Sequence, residues 1–188
     1  MNILIRTLDG TAFYVRPDST MIRALTDYYI PDYVTAVNAV PFFCFRSARS
    51  GKAVREQFAH RYIGEFSCGI LLKCETASPD SIYRTCMENA MDYTTVIPYD
   101  LLPADRIPEY ISSKRPLTVA VNGHEKVRIE KGPDMATLSS AIAMITGYCS
   151  LRTGDFVGIE LSGPVRIEKE QCLTAAFGIS GKIRIEIK

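Results

Sequence analysis

Few side chains in this sequence are placed for catalysis. Of the two histidines, His60 lies in "FAHRY" and His124 follows the tight turn Asn122-Gly123, so we expect surface or hydrogen-bonded histidines in preference to a catalytic base. No G-x-S-x-G elbow occurs, and no cysteine has a histidine placed in the sequence to suggest pairing. "GISGK", residues 178–182, lacks the spacing of a phosphate loop and precedes an alternating segment, so it predicts a hairpin turn.

The cysteines indicate a reduced protein. The six are Cys44, Cys68, Cys74, Cys86, Cys149 and Cys172, with no C-x-x-C pair and no spacing typical of metal ligands. Cys44, Cys149 and Cys172 have apolar neighbours, where a free thiol packs as a small hydrophobic group. We therefore expect a cytoplasmic protein without a disulfide framework.

Length and charge exclude several classes of partner. The 188 residues suit a single domain spanning 1–188, and the formal net charge of +1 offers no global field for nucleic acid or an anionic membrane. No apolar run reaches the roughly 18 residues needed to cross a bilayer. The opening "MNILIRTLDG" turns polar too early for a signal peptide and predicts a first strand.

The periodicity predicts more strands than helices. Strands are expected at "NILIR", "AFYVR", "AVNAVPFFCF", "FSCGILLKCE" and the alternating "GKIRIEIK", and Asn122-Gly123 is typical of a type I′ hairpin turn. Helices are expected at "PDSIYRTCMENAMDY", with Pro79 near its start, and at "MATLSSAIAMITGYCSL", with Asp134 as its N-cap. Strands and helices do not alternate regularly, which favours a β-dominated α+β fold.

Eight short segments follow one another along the chain, namely Arg16-Pro17-Asp18-Ser19, "YIPDY" at 29–33, Gly51-Lys52, "FAHRY" at 58–62, Gly69-Ile70, Asn122-Gly123, Asp134-Met135 and "LRTGD" at 151–155. Together they resemble the fumarylacetoacetate hydrolase family, in particular its short bacterial members. Each motif alone is weak, but their order and spacing over residues 12–188 are fairly specific. The resemblance implies a mixed β-roll or sandwich with a few short helices.

The resemblance also implies a Mg²⁺ or Mn²⁺ site that cleaves or decarboxylates 1,3-dicarbonyl acids. The family holds its metal with a Glu-x-Glu pair and an Asp on the neighbouring strand. On this chain the pair falls on Val40 and Phe42, and the Asp falls on Thr76. The family's substrate-binding lysine falls near Asn89, and its threonine-bearing loop places Leu161 near the threonine position.

These substitutions predict that the family's site has degenerated. Val40 and Phe42 offer no lone pair, and Thr76 alone is a poor ligand for a hard divalent ion. The family's His-x-x-Glu lid has no counterpart in residues 1–12. We therefore expect no cofactor and a catalytically inactive homologue that acts by binding or by protein interaction.

One alternative is a working hydrolase, decarboxylase or isomerase with a relocated site. By the same resemblance Glu75, Asp92 and Glu160 border the old cleft and are candidates for a new metal or acid–base cluster, although solvated or salt-bridged carboxylates are the commoner outcome.

The N-terminal third is rich in aromatic residues, among them Tyr28, Tyr29, Tyr33, Phe42, Phe43 and Phe45. Core packing is the first interpretation, a homodimer interface the second and a small apolar ligand pocket the third.

Overall fold

The structure, a computed structural model, describes residues 1–23, 27–77, 80–113, 115–179 and 181–188. The strands are β1 (Asn2–Arg6), β2 (Phe13–Pro17), β3 (Met21–Arg23), β4 (Asp27–Tyr28), β5 (Val34–Ser47), β6 (Ile63–Thr76), β7 (Thr95–Ile97), β8 (Leu102–Pro103), β9 (Leu117–Val121), β10 (His124–Ile129), β11 (Phe156–Glu160), β12 (Val165–Ile167), β13 (Cys172–Phe177) and β14 (Lys182–Ile187). The α-helices are α1 (Ser81–Asn89), α2 (Ile107–Ser112) and α3 (Met135–Tyr148), and 3₁₀ turns span Asp18–Thr20, Glu56–Tyr62 and Ala104–Arg106. Strands dominate, which confirms the predicted class.

The larger sheet has the order β2-β1-β11-β5-β6-β7-β3, with β12 added to β5 and β8 to β6. It is mixed, because β1 runs parallel to β11 and β3 runs parallel to β7 while its other pairs are antiparallel. The two ends of this order, β2 and β3, are joined in the chain only by the 3₁₀ turn Asp18–Thr20. The sheet therefore curls so far that its edges meet.

Hydrogen bonds between side chains hold the edges of this curled sheet, which we call the roll, together. Arg16 on β2 donates from Nη2 to the Thr94 hydroxyl just before β7. The hydroxyls of Thr20 and Thr95 lie 2.9 Å apart in a second buried hydrogen bond. The roll thus has an interior face, lined by alternate residues of β1, β2, β5 and β6.

The main core lies on the outer face of the roll. A second sheet, of order β10-β9-β13-β14-β4, packs its buried face there. Ile183, Ile185 and Ile187 are buried on β14 while Lys182 and Arg184 are exposed, as the alternating pattern predicted. The helix α3 adds Leu138, Ala141, Ile142 and Ile145 to the same cluster.

A second, smaller core fills the roll interior and shares β5 with the first. Val40, Phe42 and Cys44 point inward, whereas Phe43 and Phe45 point into the main core. The inner cluster also contains Ile3, Ile5, Leu71, Ile97 and Phe156. Both faces of β5 are therefore buried, which explains why its sequence is apolar almost throughout.

The predicted caps and turns are present. Asn122 and Gly123 take positive φ angles of 50° and 79° between β9 and β10, as a type I′ turn requires. The Asp134 carboxylate accepts a hydrogen bond from the Thr137 amide at 2.8 Å at the start of α3. The "GISGK" segment joins β13 to β14 as a hairpin, although Ser180 within it lies outside the described residues. Pro79 also lies outside them, and Asp80 caps α1.

Candidate functional site

Apolar side chains occupy the positions at which the resemblance places the metal-binding glutamates. Val40 and Phe42 are each only 1% exposed inside the roll. Phe42 lies between two glycines on the flanking strands: a Cβ on Gly69 would lie 2.7 Å from Phe42 Cε1, and one on Gly158 would lie 3.0 Å from Phe42 Cδ2. The absence of side chains at both glycines is what makes room for the ring.

The other matched positions lie outside this inner core. Thr76 ends β6, and both its amide and its hydroxyl donate to Glu88 Oε1 on α1, at 2.7 and 3.3 Å. Asn89 ends α1 and lines an open cleft. Leu161 packs against the main core, and its amide donates to the Pro41 carbonyl at 2.9 Å. None of the five side chains is a carboxylate or a lysine.

A cleft of about 360 Å³ opens beside the inner core, between the ends of β5 and β6 and the helix α1. This mouth cleft is lined by Thr7, Tyr14, Asn38, Lys73, Cys74, Glu75, Thr85, Glu88, Asn89 and Pro164. Its polar side chains come from five separate segments of the chain, so only the folded roll brings them together.

A buried carboxylate anchors one wall of the mouth cleft. Glu160 is 8% exposed, and its Oε1 lies 2.5 Å from Lys73 Nζ. The Tyr14 hydroxyl donates to the same oxygen at 2.7 Å, and the Leu8 amide donates to Oε2 at 3.2 Å. Burial, and next the charge of Glu160, raise the pKa of Tyr14, so this phenol stays protonated and acts as a donor.

The other two candidate carboxylates are placed differently from Glu160. Glu75 lines the mouth cleft, exposed, and its Oε1 accepts a hydrogen bond from Asn38 Nδ2 at 2.8 Å. Asp92 is exposed in the turn after α1 and is not among the residues that line the mouth cleft. Glu75 thus lines the mouth cleft, and Glu160 contacts two residues that line it, Lys73 and Tyr14, whereas Asp92 is not among the lining residues.

Behind the mouth cleft lies a fully buried arginine, Arg16, which the sequence marks only as the last residue of an expected strand and the first of a matched segment. Arg16 is 0% exposed and follows Tyr14 by two residues on β2, so both face the roll interior. Its charge interacts with Tyr14 and Cys74, which line the cleft. Burial lowers the pKa of Arg16, and those two neighbours oppose the effect.

The donor set does not fit the divalent ion that the resemblance implies. Mg²⁺ and Mn²⁺ need several oxygen ligands, and the valine and phenylalanine at positions 40 and 42 supply none. Thr76 already donates its hydroxyl hydrogen to Glu88. Over the described ranges, with their gaps at 24–26, 78–79, 114 and 180, no group of three or more His, Cys, Asp or Glu side chains could hold a metal ion.

The residues that form the mouth cleft left only weak signals in the sequence. Lys73 is the one charged residue in the apolar run 66–74 of β6, and in alternation with Leu71 it faces the roll interior. Tyr14 and Asn38 have no such signal, because a long-range approach of strands brings them to Glu160 and Glu75. His60 and His124 are both exposed, in line with the surface interpretation.

Four of the six aromatic residues singled out in the N-terminal third belong to the cores. Tyr28, Phe42, Phe43 and Phe45 are buried, whereas Tyr29 and Tyr33 are 67% and 62% exposed. In the part of the chain that the structure describes, no helix is long and apolar enough to cross a membrane.

The sequence itself matches no protein-family model and no curated protein. The fold, in contrast, is similar to solved structures. Fumarylpyruvate hydrolase from Pseudomonas aeruginosa, solved with Mn²⁺ and pyruvate, superposes with a TM-score of 0.77 at 12% identity, over 99% of this chain and 88% of that one. The 2-hydroxyhepta-2,4-diene-1,7-dioate isomerase of Mycobacterium marinum gives 0.76 at 12% identity, over 99% and 73%.

A third similar structure carries the family's name. It is a Yersinia pestis protein described as a fumarylacetoacetate hydrolase family protein, with a TM-score of 0.73 at 14% identity, over 100% of this chain and 92% of that one. At such identities the likeness concerns the backbone, and it extends over the whole chain. This chain therefore has the fold of the fumarylacetoacetate hydrolase family.

Proposed function

We propose that this protein is a catalytically inactive homologue of fumarylacetoacetate hydrolase-type enzymes that acts by binding, as a cytoplasmic homodimer. The observation that carries the proposal is the position of Phe42, whose ring occupies the space between Gly69 and Gly158. In the resemblance this position belongs to a metal-binding glutamate. Oxygen ligands are needed there to hold the ion that stabilises an enolate charge.

The contacts of Glu160 also favour a binding role over a relocated catalytic site. A general acid or a metal ligand must have an oxygen free for the proton or the ion. Glu160 already has three partners, Lys73, Tyr14 and the Leu8 amide. Asp92 lies outside the mouth cleft, so Glu75 and Glu160 would have to act without it.

The proposal is tested by metal binding and turnover together. We expect the purified chain to show no stoichiometric Mg²⁺ or Mn²⁺ binding by calorimetry, no metal-dependent rise in Tm, and no turnover of an acylpyruvate. The matched variants are Glu75→Gln and Glu160→Gln. Turnover by the wild-type chain that both variants abolish would establish the relocated site and overturn the proposal.

The homodimer is proposed from the two exposed tyrosines Tyr29 and Tyr33, because aromatic residues commonly anchor interfaces. Light scattering coupled to gel filtration measures the assembly directly. We expect a dimer that Tyr29→Ser with Tyr33→Ser converts to a monomer, whereas Tyr148→Ser, at an exposed tyrosine on α3, leaves it dimeric. A monomeric wild-type chain would contradict this part of the proposal.

A further inference from the structure

The guanidinium of Arg16 is the least satisfied charged group in the roll interior. Its Nη2 donates to the Thr94 hydroxyl, but Nε and Nη1 have no hydrogen-bond partner among the described residues. Nε carries one N–H and Nη1 carries two, so three of the five donors of this side chain are unused. A buried charge with unused donors is costly unless an opposite charge reaches it.

No carboxylate in the part of the chain that the structure describes supplies that opposite charge. Within the described residues, Arg16 forms no ion pair within 4.0 Å. The three glutamates around the mouth cleft have other partners: Glu160 pairs with Lys73, Glu75 accepts from Asn38, and Glu88 accepts from Thr76. The charge without a counter-charge at this end of the roll is therefore the positive charge of Arg16. It is carried by a planar guanidinium, whose N–H groups have a fixed geometry.

The mouth cleft shares two residues with the surroundings of this donor. Tyr14 and Cys74 line the cleft, and both lie close enough to Arg16 to interact with its charge. The Tyr14 hydroxyl donates to Glu160 and separates that carboxylate from the guanidinium. Arg16 itself is fully buried and does not line the cleft, so a ligand that enters beside Tyr14 reaches the guanidinium only when the cleft opens further.

The cover over this cleft is weakly held. The helix α1 contributes no buried side chain, and its Ile82, Tyr83 and Met87 are exposed. Its polar attachment to the sheet is the pair of hydrogen bonds from Thr76 to Glu88. Because little apolar surface is lost when α1 moves, local opening costs far less than unfolding of the roll.

We infer that the mouth cleft binds a small organic carboxylate whose charge is held by the buried guanidinium of Arg16. This inference rests on the proposed function, since it names the ligand class of a binding protein, and it requires no metal. A carboxylate is the fitting anion because its two oxygens match the planar fork of a guanidinium. The positive charge that holds the anion in the roll is then that of the Arg16 side chain.

The test compares three probes on the metal-free protein in a chelating buffer. Propionate should raise Tm and perturb the NMR signals of the mouth-cleft residues in a saturable manner, whereas propionamide, which has the same shape without charge, should not. Sodium chloride at the same ionic strength separates a carboxylate site from a general anion effect. These measurements need no variant, so they do not depend on how a substitution folds.

Variants then assign the site to Arg16. Arg16→Met should weaken propionate binding roughly tenfold or more, because a charged hydrogen bond is lost, while the fold survives the removal of an unpaired charge. Arg16→Lys keeps the charge but loses the fork and should bind at an intermediate level. The control is Arg55→Met, at an exposed arginine, which should bind as the wild type does.

Two results would overturn the inference: equal effects of chloride and propionate, or propionate binding that Arg16→Met leaves unchanged. Neither result touches the proposed lack of catalysis, which fails if the chain turns over an acylpyruvate. Turnover together with propionate binding that requires Arg16 would leave the carboxylate site in place and remove the claim of inactivity.

Discussion

Lys73 on β6 and Glu160 on β11 form an ion pair of 2.5 Å that passes over β5, the strand between them. The pair joins two strands that share no backbone hydrogen bond. It also fixes Tyr14 of β2 through the same carboxylate oxygen. One side wall of the mouth cleft therefore depends on a single buried glutamate.

A double-mutant cycle measures this pair. We expect Lys73→Met and Glu160→Gln each to lower the free energy of unfolding, with a coupling energy of about 1 kcal/mol. This is below the value for a fully buried pair, because the Lys73 side chain is 36% exposed and solvent screens it. Urea denaturation of the four proteins gives the coupling. The exposed pair Arg106 and Glu109 provides the control and should couple less strongly; an equal coupling there would contradict the structural role.

The fit of Phe42 against Gly158 predicts a compensating pair of substitutions. Gly158→Ala places a methyl group 3.0 Å from Phe42 and 2.5 Å from the end of Ile5, and should destabilise the protein by about 1–3 kcal/mol. Phe42→Leu in the same chain should return part of that loss. Gly163→Ala, where a Cβ meets nothing within 4 Å, is the control and should change stability by less than about 0.5 kcal/mol. Additive effects of the first two substitutions would refute the packing argument.

Two glycines in open space should respond to alanine with opposite signs. A Cβ at Gly123 or at Gly147 would meet nothing within 4 Å, so backbone conformation alone decides the result. Gly123 has a φ of 79°, and Gly123→Ala should cost about 1 kcal/mol. Gly147 lies within α3, and Gly147→Ala should stabilise by up to about 1 kcal/mol. Thermal unfolding of both variants checks the signs.

Alkaline pH should destabilise the protein through Tyr110. Burial, followed by the neighbouring Cys68, raises the pKa of this phenol above the ordinary value of about 10. Above that pH the unfolded chain loses a proton that the folded chain keeps, so the contribution is complete below about pH 10 and is lost as pH rises. The slope from this group is about 1.4 kcal/mol per pH unit.

Tyr110→Phe tests this linkage with its own internal control. At neutral pH the variant lacks the hydrogen bond between the hydroxyl and Cys68 and should be no more stable than the wild type. Above pH 10 its stability should fall less steeply, so that the difference between the two proteins shifts in its favour. Parallel pH profiles would show that the phenol does not stay protonated in the folded state.

Local sequence signals were sufficient for several of the elements and for the fold class. The Asn122-Gly123 turn, the Asp134 cap and the alternation of β14 each depend on neighbours in the chain, and each was predicted. The segment Glu56–Tyr62 carries no such signal and is a 3₁₀ turn. Pro41 interrupts no strand, although proline is rare in a central strand: it lies where the partner of β5 changes from β11 to β12, so no amide is required there.

The candidate site could be predicted only in part, because long-range contacts create it. Glu75 and Glu160 were identified from the order of motifs, and both reach the region of the mouth cleft. Arg16 and Tyr14 were missed, because the closure of the roll between β2 and β7 is what buries them. Nothing in the neighbouring residues of Arg16 indicates that its guanidinium turns inward.

The two-sided burial of β5 has a consequence for cooperativity. Neither hydrophobic cluster can lose its order while the other keeps it, because each takes a face of the same strand as its wall. The amide protons of β5 should therefore be the slowest to exchange with solvent, at a rate set by global unfolding. By the same argument, the chain should melt in one transition that every spectroscopic probe reports at the same temperature.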